Sequence, residues 1–364
     1  MLKGYDLDFL SIGDKSSGDS IFFRTLRDYK HESLMLIDGG YAGDAVNILK
    51  TMDEWYETRE IQDMVLTHGD SDHINGLIAL LESDENLTVG TLWALFPWNY
   101  SAELINDEYF KSRNSVKYLS DELKRVFKSL AKLEELAKAR NITIKEPFAG
   151  EVINKFTVLS PTKEFYLSNI ASSTKTASEN LNREKTGMES LKEARSTVFK
   201  VIANIKMKAS PWGEEIFPSE DTSAENNNSV ILYTDYLDSN ILLTGDAGKK
   251  AFDDLIKRKS NILNKIKTFQ VPHHGSRRNL SSLILDSLFG NKIKKEAYNP
   301  KIKAVISAGK EDEHHPRNAV VRALMHRNIK VFTTKKSRYH DSMNAPDRKW
   351  KAATPLTYPA TMEE

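Results

Sequence analysis

The run Thr67-His68-Gly69-Asp70-Ser71-Asp72-His73 constrains this chain more than any other stretch. It is entered from the apolar Met64-Val65-Leu66 and left into Ile74-Asn75-Gly76-Leu77, which sets it at a strand-to-helix junction. His68, Asp70, Asp72 and His73 are all able to ligate a metal and lie within six positions of one another. A turn there aims alternate side chains at one point, and imidazole with carboxylate suits zinc, manganese or iron. Capping of the following helix is the plainer use of Ser71 or Asp72, with the two histidines then incidental.

At 364 residues and 40% hydrophobic content, the chain can bury a sizeable core. It has no cysteine, so any metal must be held by histidine and carboxylate. The N-terminal Met1-Leu2-Lys3-Gly4-Tyr5-Asp6 lacks the apolar core of a signal peptide, and no stretch approaches the ~18 apolar residues of a membrane span. A soluble, cytoplasmic protein without a membrane partner is expected. The formal net charge is +1, yet between Asp246 and Lys351 there are 25 lysines and arginines against 10 aspartates and glutamates. Pairs such as Arg277-Arg278, Lys294-Lys295 and Lys335-Lys336 favour an anionic substrate if they gather on one face, and are otherwise ordinary solvated surface.

Short apolar strand candidates (33–37, 63–67, 91–95, 156–159, 230–234, 241–243, 267–271, 304–307 and 330–333) alternate with helix candidates at 44–57, 76–81, 249–257, 280–288 and 318–326. Such alternation requires helices packed outside sheets. Two segments interrupt it. Leu119, Leu123, Val126, Leu130, Leu133 and Ala137 recur at spacings of four and three, which predicts a long helix with a narrow apolar seam. A second helix, 188–206, offers Leu191, Val198, Ile202 and Ile205, and the two are expected to pack together, with a second copy or a partner protein as the other possible use of the seam. The polar stretch 168–187 reads as a mobile connection, and in the loop 209–228 Trp212 and Phe217 read as ordinary loop packing.

A His-x-His-x-Asp-His loop after a strand is the signature of the metallo-β-lactamase superfamily, which residues 68–73 resemble with Asp70 in place of the second histidine. That departure is similar to the branch containing the hydrolase domain of the competence channel and the phosphorylcholine esterases. Gly18-Asp19-Ser20, Leu36-Ile37-Asp38-Gly39-Gly40, Asn226-Asn227-Asn228-Ser229-Val230-Ile231-Leu232, Leu242-Leu243-Thr244-Gly245-Asp246, Val271-Pro272-His273-His274-Gly275-Ser276 and Ile306-Ser307-Ala308-Gly309 with His315-Pro316 follow in the same order. The resemblance implies an α/β fold, a four-layer αββα sandwich, as a single domain over 1–364 with helical and loop insertions at about 99–140 and 165–226. It also implies one or two divalent ions, zinc or manganese, held by His68, Asp70, Asp72, His73, Asp246 and His274.

Of the adjacent pair, His274 is assigned to the metal and His273 to the leaving group or a phosphate oxygen, because neighbours on an extended segment point apart. Asp72 and His315 join His273 as candidate catalytic groups, and Ser276, Arg277 and Arg278 as candidate substrate-binding groups. His315 before Pro316 also reads as a plain helix start. Asp38 is expected to orient the metal loop from behind. Ser160 stands where a further histidine ligand is usual, which leaves the His68 side weakly held. The expected activity is a metal-dependent phosphodiesterase, most simply a nuclease. A hydrolase of small esters (phosphorylcholine ester, lactone or β-lactam) and a non-catalytic binding protein are the alternatives.

Overall fold

The computed structural model describes residues 1–110, 113–176, 207–263 and 265–363. Its strands are β1 (Lys3–Phe9), β2 (Ile21–Arg27), β3 (Lys30–Ile37), β4 (Glu60–Val65), β5 (Thr88–Trp93), β6 (Thr143–Lys145), β7 (Val152–Ile153), β8 (Phe156–Ser160), β9 (Met207–Ala209), β10 (Ile231–Thr234), β11 (Ile241–Leu243), β12 (Thr268–Gln270), β13 (Ile302–Ile306), β14 (Ile329–Thr333), β15 (Tyr339–Met343) and β16 (Thr361–Glu363). Two seven-stranded sheets form, in the orders β15-β1-β2-β3-β4-β5-β6 and β14-β13-β12-β11-β10-β8-β7, and β16 pairs with β9 apart from them. Strands β3 to β6 run parallel, as do β11 to β14.

The period-2 alternation of each strand assigns its two faces to different cores. Tyr5, Leu7 and Phe9 of β1, Met35 and Ile37 of β3, and Leu232 of β10 lie between the sheets with Phe156, Leu243 and Val305. Leu34 and Leu36 point the other way, into a core shared with the helices α1 (Ala45–Thr51) and α2 (Ser71–Ser83). The outer face of the second sheet carries Ile231, Leu242, Phe269 and Ala304 against further helices. The result is the αββα sandwich.

The apolar seam at 119–137 lies on two helices rather than one. After α3 (Ser101–Leu104) come α4 (Val116–Val126) and α5 (Lys128–Ala139), broken at Phe127 with φ −103° and ψ 59°. Leu119, Leu123, Leu130, Leu133 and Ala137 are buried in the same core as Leu77 and Leu80 of α2, so the seam packs within the chain. The predicted helix at 188–206 lies outside the described residues. The start of the stretch read as a mobile connection is ordered as α6 (Lys163–Ser172), capped by Thr162.

The remaining helices are α7 (Ala224–Asn227), α8 (Lys249–Leu263), α9 (Ser282–Phe289) and α10 (Asn318–Met325). Among the described residues no helix is long and apolar enough to cross a membrane. Trp212 packs on His326 and Tyr358, and Phe217 against the outer core of the second sheet.

Parallel strands send their following loops to one end of a sheet, and ligand sites in such sheets form there. The segments after β3, β4, β11, β12 and β13 carry Asp38, His68 to His73, Asp246, His273-His274 and Ser307. One contact fixes the first two of these segments together. Gly39 N donates to His73 O at 2.8 Å and Gly76 N to Gly40 O at 2.9 Å, and a Cβ on Gly76 would stand 1.7 Å from the Gly39 oxygen. Only glycine lets α2 press against that turn.

Candidate metal centre

Each histidine of the site is oriented through one ring nitrogen, which leaves the other for the centre. His73 Nδ1 donates to Asp38 Oδ2 at 2.7 Å. Asp38 also accepts from Thr67 N at 2.8 Å and from Thr67 Oγ1 at 2.6 Å, so this one carboxylate anchors the entrance and the exit of the loop. With its hydroxyl proton given to Asp38, Thr67 Oγ1 is left to accept from His68 Nδ1, 3.1 Å away. His274 Nδ1 donates to the Ser307 carbonyl at 3.1 Å. Asn279 Oδ1 accepts from His273 Nδ1 at 3.0 Å, while its amide nitrogen bonds Asp246 O at 2.8 Å.

The free nitrogens converge on Asp246. His73 Nε2 is 3.4 Å from Asp246 Oδ1, and His68 Nε2 and His273 Nε2 are 3.8 and 3.6 Å from Asp246 Oδ2. His274 Nε2 lies 3.1 Å from Asp72 Oδ2, which is 3.6 Å from His73 Nε2. Asp246 reaches this position because Gly245 before it takes φ +49°, where a Cβ would sit 3.0 Å from the Thr67 side chain.

One member was missed in the sequence. Asp19, Asp246, His73 and His274 are all buried, and each offers a ligand atom within 4.8 Å of the others. Asp19 arrives from the loop after β1, its N–H bonded to Asp72 O at 3.2 Å. The Gly18-Asp19-Ser20 block was the only signal for it, and nothing in its spacing marked the carboxylate as facing His274.

The two adjacent histidines differ from expectation in backbone. His273 and His274 have φ of 49° and 56°, a left-handed turn rather than an extended segment. Both rings therefore face the site, 5.8 Å apart. His315 also sits there, stacked 6.2 Å from His273, with Nδ1 3.0 Å from Asp312 Oδ2. Pro316 follows it, but α10 begins only at Asn318.

Other predicted residues are placed less centrally. Asp70 Oδ2 is 3.8 Å from His68 Nε2, and its Oδ1 accepts from Lys175 Nζ at 2.8 Å. Ser160 ends β8 fully buried, paired in register with Ile231. Arg277 donates to Glu363 O at 3.0 Å, Arg278 is exposed, and Ser276 is half-buried between them and Gly275. Arg317 lies close to Arg277 and Lys249 close to Arg278, while the Lys249 ammonium is bonded to Pro218 O and, at 2.8 Å, to Glu220 O.

A divalent cation fits this donor set. His68 Nε2, His73 Nε2, Asp246 Oδ1 and Asp19 Oδ1 are buried with no hydrogen-bond partner among the described residues. Leaving such groups unpaired is costly, and nitrogen with carboxylate oxygen is the ligand chemistry of zinc and manganese. The charges say the same. Burial disfavours the imidazolium of His73, yet Asp246, Asp38 and Asp72 outweigh it and hold the group well above the ordinary histidine range. Burial likewise opposes ionisation of Asp246, but His273, His73 and His274 keep it well below the usual carboxylate range. In the ion-free protein, protons on histidine supply the positive charge that these carboxylates require.

No family model matches the sequence. Over 115 residues, 31% of the chain, it is 30% identical to ComE operon protein 3 of Bacillus subtilis (strain 168), and the matched stretch spans 13% of that protein. Among solved structures, a diphosphatase of the PhnP family is 12% identical, with a TM-score of 0.39 over 94% of this chain and 99% of that one. A protein of Thermotoga maritima described as a metallo-β-lactamase is 13% identical, with a TM-score of 0.30 over 70% of this chain and 85% of that one. AidC, a dizinc quorum-quenching lactonase, is 17% identical, with a TM-score of 0.24 over 38% and 47%.

Proposed function

We propose that this chain is a metal-dependent hydrolase of the metallo-β-lactamase type and that it cleaves phosphodiester bonds in nucleic acid. The observation that carries the first part is the buried cluster of Asp19, His73, Asp246 and His274, whose ligand atoms lie within 4.8 Å of one another and which among the described residues leaves His73 Nε2, Asp246 Oδ1 and Asp19 Oδ1 without a hydrogen-bond partner. Asp19, His73, Asp246 and His274 would hold the ion, with Asp72 Oδ2 3.1 Å from His274 Nε2. When bound, a divalent ion makes hydroxide available near neutral pH and offsets charge on the electrophile.

The rest is done by the chain itself. Asp38, Ser307 and Asn279 fix the rings of His73, His274 and His273. His315 Nδ1 is steadied by Asp312, and burial with His274 and His273 beside it holds the imidazole below the ordinary histidine range, so His315 would take up a proton at the site rather than deliver one. Asp312 in turn accepts from Ser17 Oγ at 2.6 Å and from the backbone N–H of His314 at 2.8 Å, so the pair is held rigidly. Arg278, exposed and close in sequence to the His273-His274 turn, with the basic residues that follow it, would favour a polyanion.

One observation favours the small-ester alternative. Beside His68 lies a cavity of about 40 Å³ lined by Leu66, Leu95, Phe127, Leu130, Tyr166 and Ile170, which would accept a small apolar substituent. Metal analysis followed by assay on single-stranded DNA, duplex DNA, RNA and a chromogenic phosphodiester tests the proposal. Cleavage of nucleic acid that is lost in Asp72→Ala/His73→Ala together with the ion is the expected result. Cleavage of the small ester alone favours the alternative.

A further inference from the structure

We propose that the ammonium of Lys175 takes the place of a second metal ion at Asp70, so that the chain holds one divalent ion tightly and a resident organic cation beside it; this rests on the reading of the site as a metal centre. The two sides of the site are unequal. On one, four buried ligand atoms from Asp19, His73, Asp246 and His274 lie within 4.8 Å of one another, with Asp72 Oδ2 3.1 Å from His274. On the other, His68 Nε2 has carboxylate oxygens of Asp70 and Asp246 at 3.8 Å each, but among the described residues these three groups do not form a second cluster of mutually close ligand atoms.

Asp70 is already neutralised. Its Oδ1 accepts from Lys175 Nζ at 2.8 Å. Local hydrogen bonds hold the backbone that presents the lysine. Its N–H bonds Ser173 Oγ at 3.1 Å, the Thr176 hydroxyl bonds Ser173 O at 2.8 Å, and Ser173 in turn donates to Glu225. Lys175 is also among the residues lining the cavity beside His68. A divalent ion bound between His68 and Asp70 would stand within a few ångströms of this charge, where like-charge repulsion is strong. The ion could enter only by displacing Lys175. A lysine ammonium is a compact point charge, and paired with Asp70 it leaves that side of the site electrically balanced without an ion.

Metal content of the protein equilibrated with manganese or zinc and then desalted reads the outcome directly. One ion per chain is expected in the unmodified protein and two in Lys175→Met, which keeps the aliphatic stem and removes the charge. Electron paramagnetic resonance of the manganese forms should show a coupled ion pair only in Lys175→Met. Asp70→Asn gives an independent reading: it should leave the tight ion in place, with affinity within about twofold. Two ions in the unmodified protein, one ion in a folded Lys175→Met, or loss of the tight ion in Asp70→Asn each overturn the lysine's role while leaving the metal centre standing. No ion in any of these proteins overturns the metal centre itself, and the proposal with it.

Discussion

Asp38 and His73 meet at 2.7 Å beneath the loop that carries the candidate ligands, and the same carboxylate receives both the backbone N–H and the hydroxyl of Thr67. Asp38 sits at φ 56°, a conformation that asparagine tolerates and alanine does not. Removing an oxygen that orients a metal-bound histidine typically weakens metal binding about 10- to 100-fold. Asp38→Ala should show that loss together with reduced stability, because Thr67 N loses its acceptor. Asp38→Asn should keep the fold and lose part of the affinity. Equilibrium titration with zinc, read beside thermal melts, checks both, and unchanged affinity in a folded Asp38→Ala would show that His73 does not bind the ion.

A second expectation concerns pH. Burial works against a charged His274, but Asp246, Asp72 and Asp19 outweigh it and raise the group to about 9 in the ion-free protein. A pKa raised on folding stabilises the fold fully below the unfolded value of about 6.5, and that contribution is lost as pH rises through the folded one. The ion-free protein should therefore lose stability between about pH 6.5 and pH 9. A metal must displace the same proton, so its binding should tighten over this window and release protons at pH 7. Calorimetric titration in buffers of different ionisation enthalpy measures the release, and His274→Gln should lower it by about one proton. Equal heats in all buffers would mean that the histidines are already neutral.

Much of this was legible before any coordinates. The metal loop, Asp246 and the His273-His274 pair stand at strand ends, where apolar runs stop, and it was the family resemblance that named them together as a ligand set. Asp19 and Lys175 were not legible in the same way. Each lies far along the chain from its partner, and only the folded backbone brings Asp19 to Asp72 or Lys175 to Asp70. Strand β1 misleads for another reason. Lys3-Gly4-Tyr5-Asp6-Leu7-Asp8-Phe9 alternates as a half-exposed strand would, yet Asp6 and Asp8 are fully buried. Their partners are remote: Arg24 reaches Asp6, and His340 and Arg348 reach Asp8 at 3.0 Å. The break at Phe127 is similar, since heptad spacing runs through it and the packing of α4 and α5 against the body decides it.

The packing behind the loop gives a third prediction. A Cβ on Gly69 would stand 3.0 Å from Leu130, so α5 supports the metal loop directly. Leu130→Ala should destabilise the protein by about 2–5 kcal/mol through lost burial and the remaining cavity. Gly76→Ala should be at least as damaging, because nothing short of backbone movement makes room beside Gly39. Urea unfolding with sedimentation distinguishes this from an assembly role for the seam. A Leu130→Ala protein of unchanged stability but altered mass would mean that the seam serves another chain.

The last prediction separates a polyanion substrate from a small ester. Neutralising phosphates with lysine and arginine releases counterions, so log affinity for nucleic acid falls with log salt by about 0.7 to 0.9 per contact. Arg278 is the residue to test first, because it is exposed and close in sequence to His273, while Arg277 is also tied to Glu363 O at 3.0 Å and so serves the C-terminal strand. Arg278→Ala should lower the salt slope by about 0.7 to 0.9 and weaken binding to DNA or RNA, with hydrolysis of a small chromogenic phosphodiester near its original rate. Arg277→Ala should add a loss of stability that Arg278→Ala lacks. Fluorescence anisotropy across a salt series, run with steady-state kinetics on the small substrate, gives both readings. Nucleic-acid binding with no salt dependence would assign the basic residues to solvent, and the apolar cavity beside His68 would then be the better guide to the substrate.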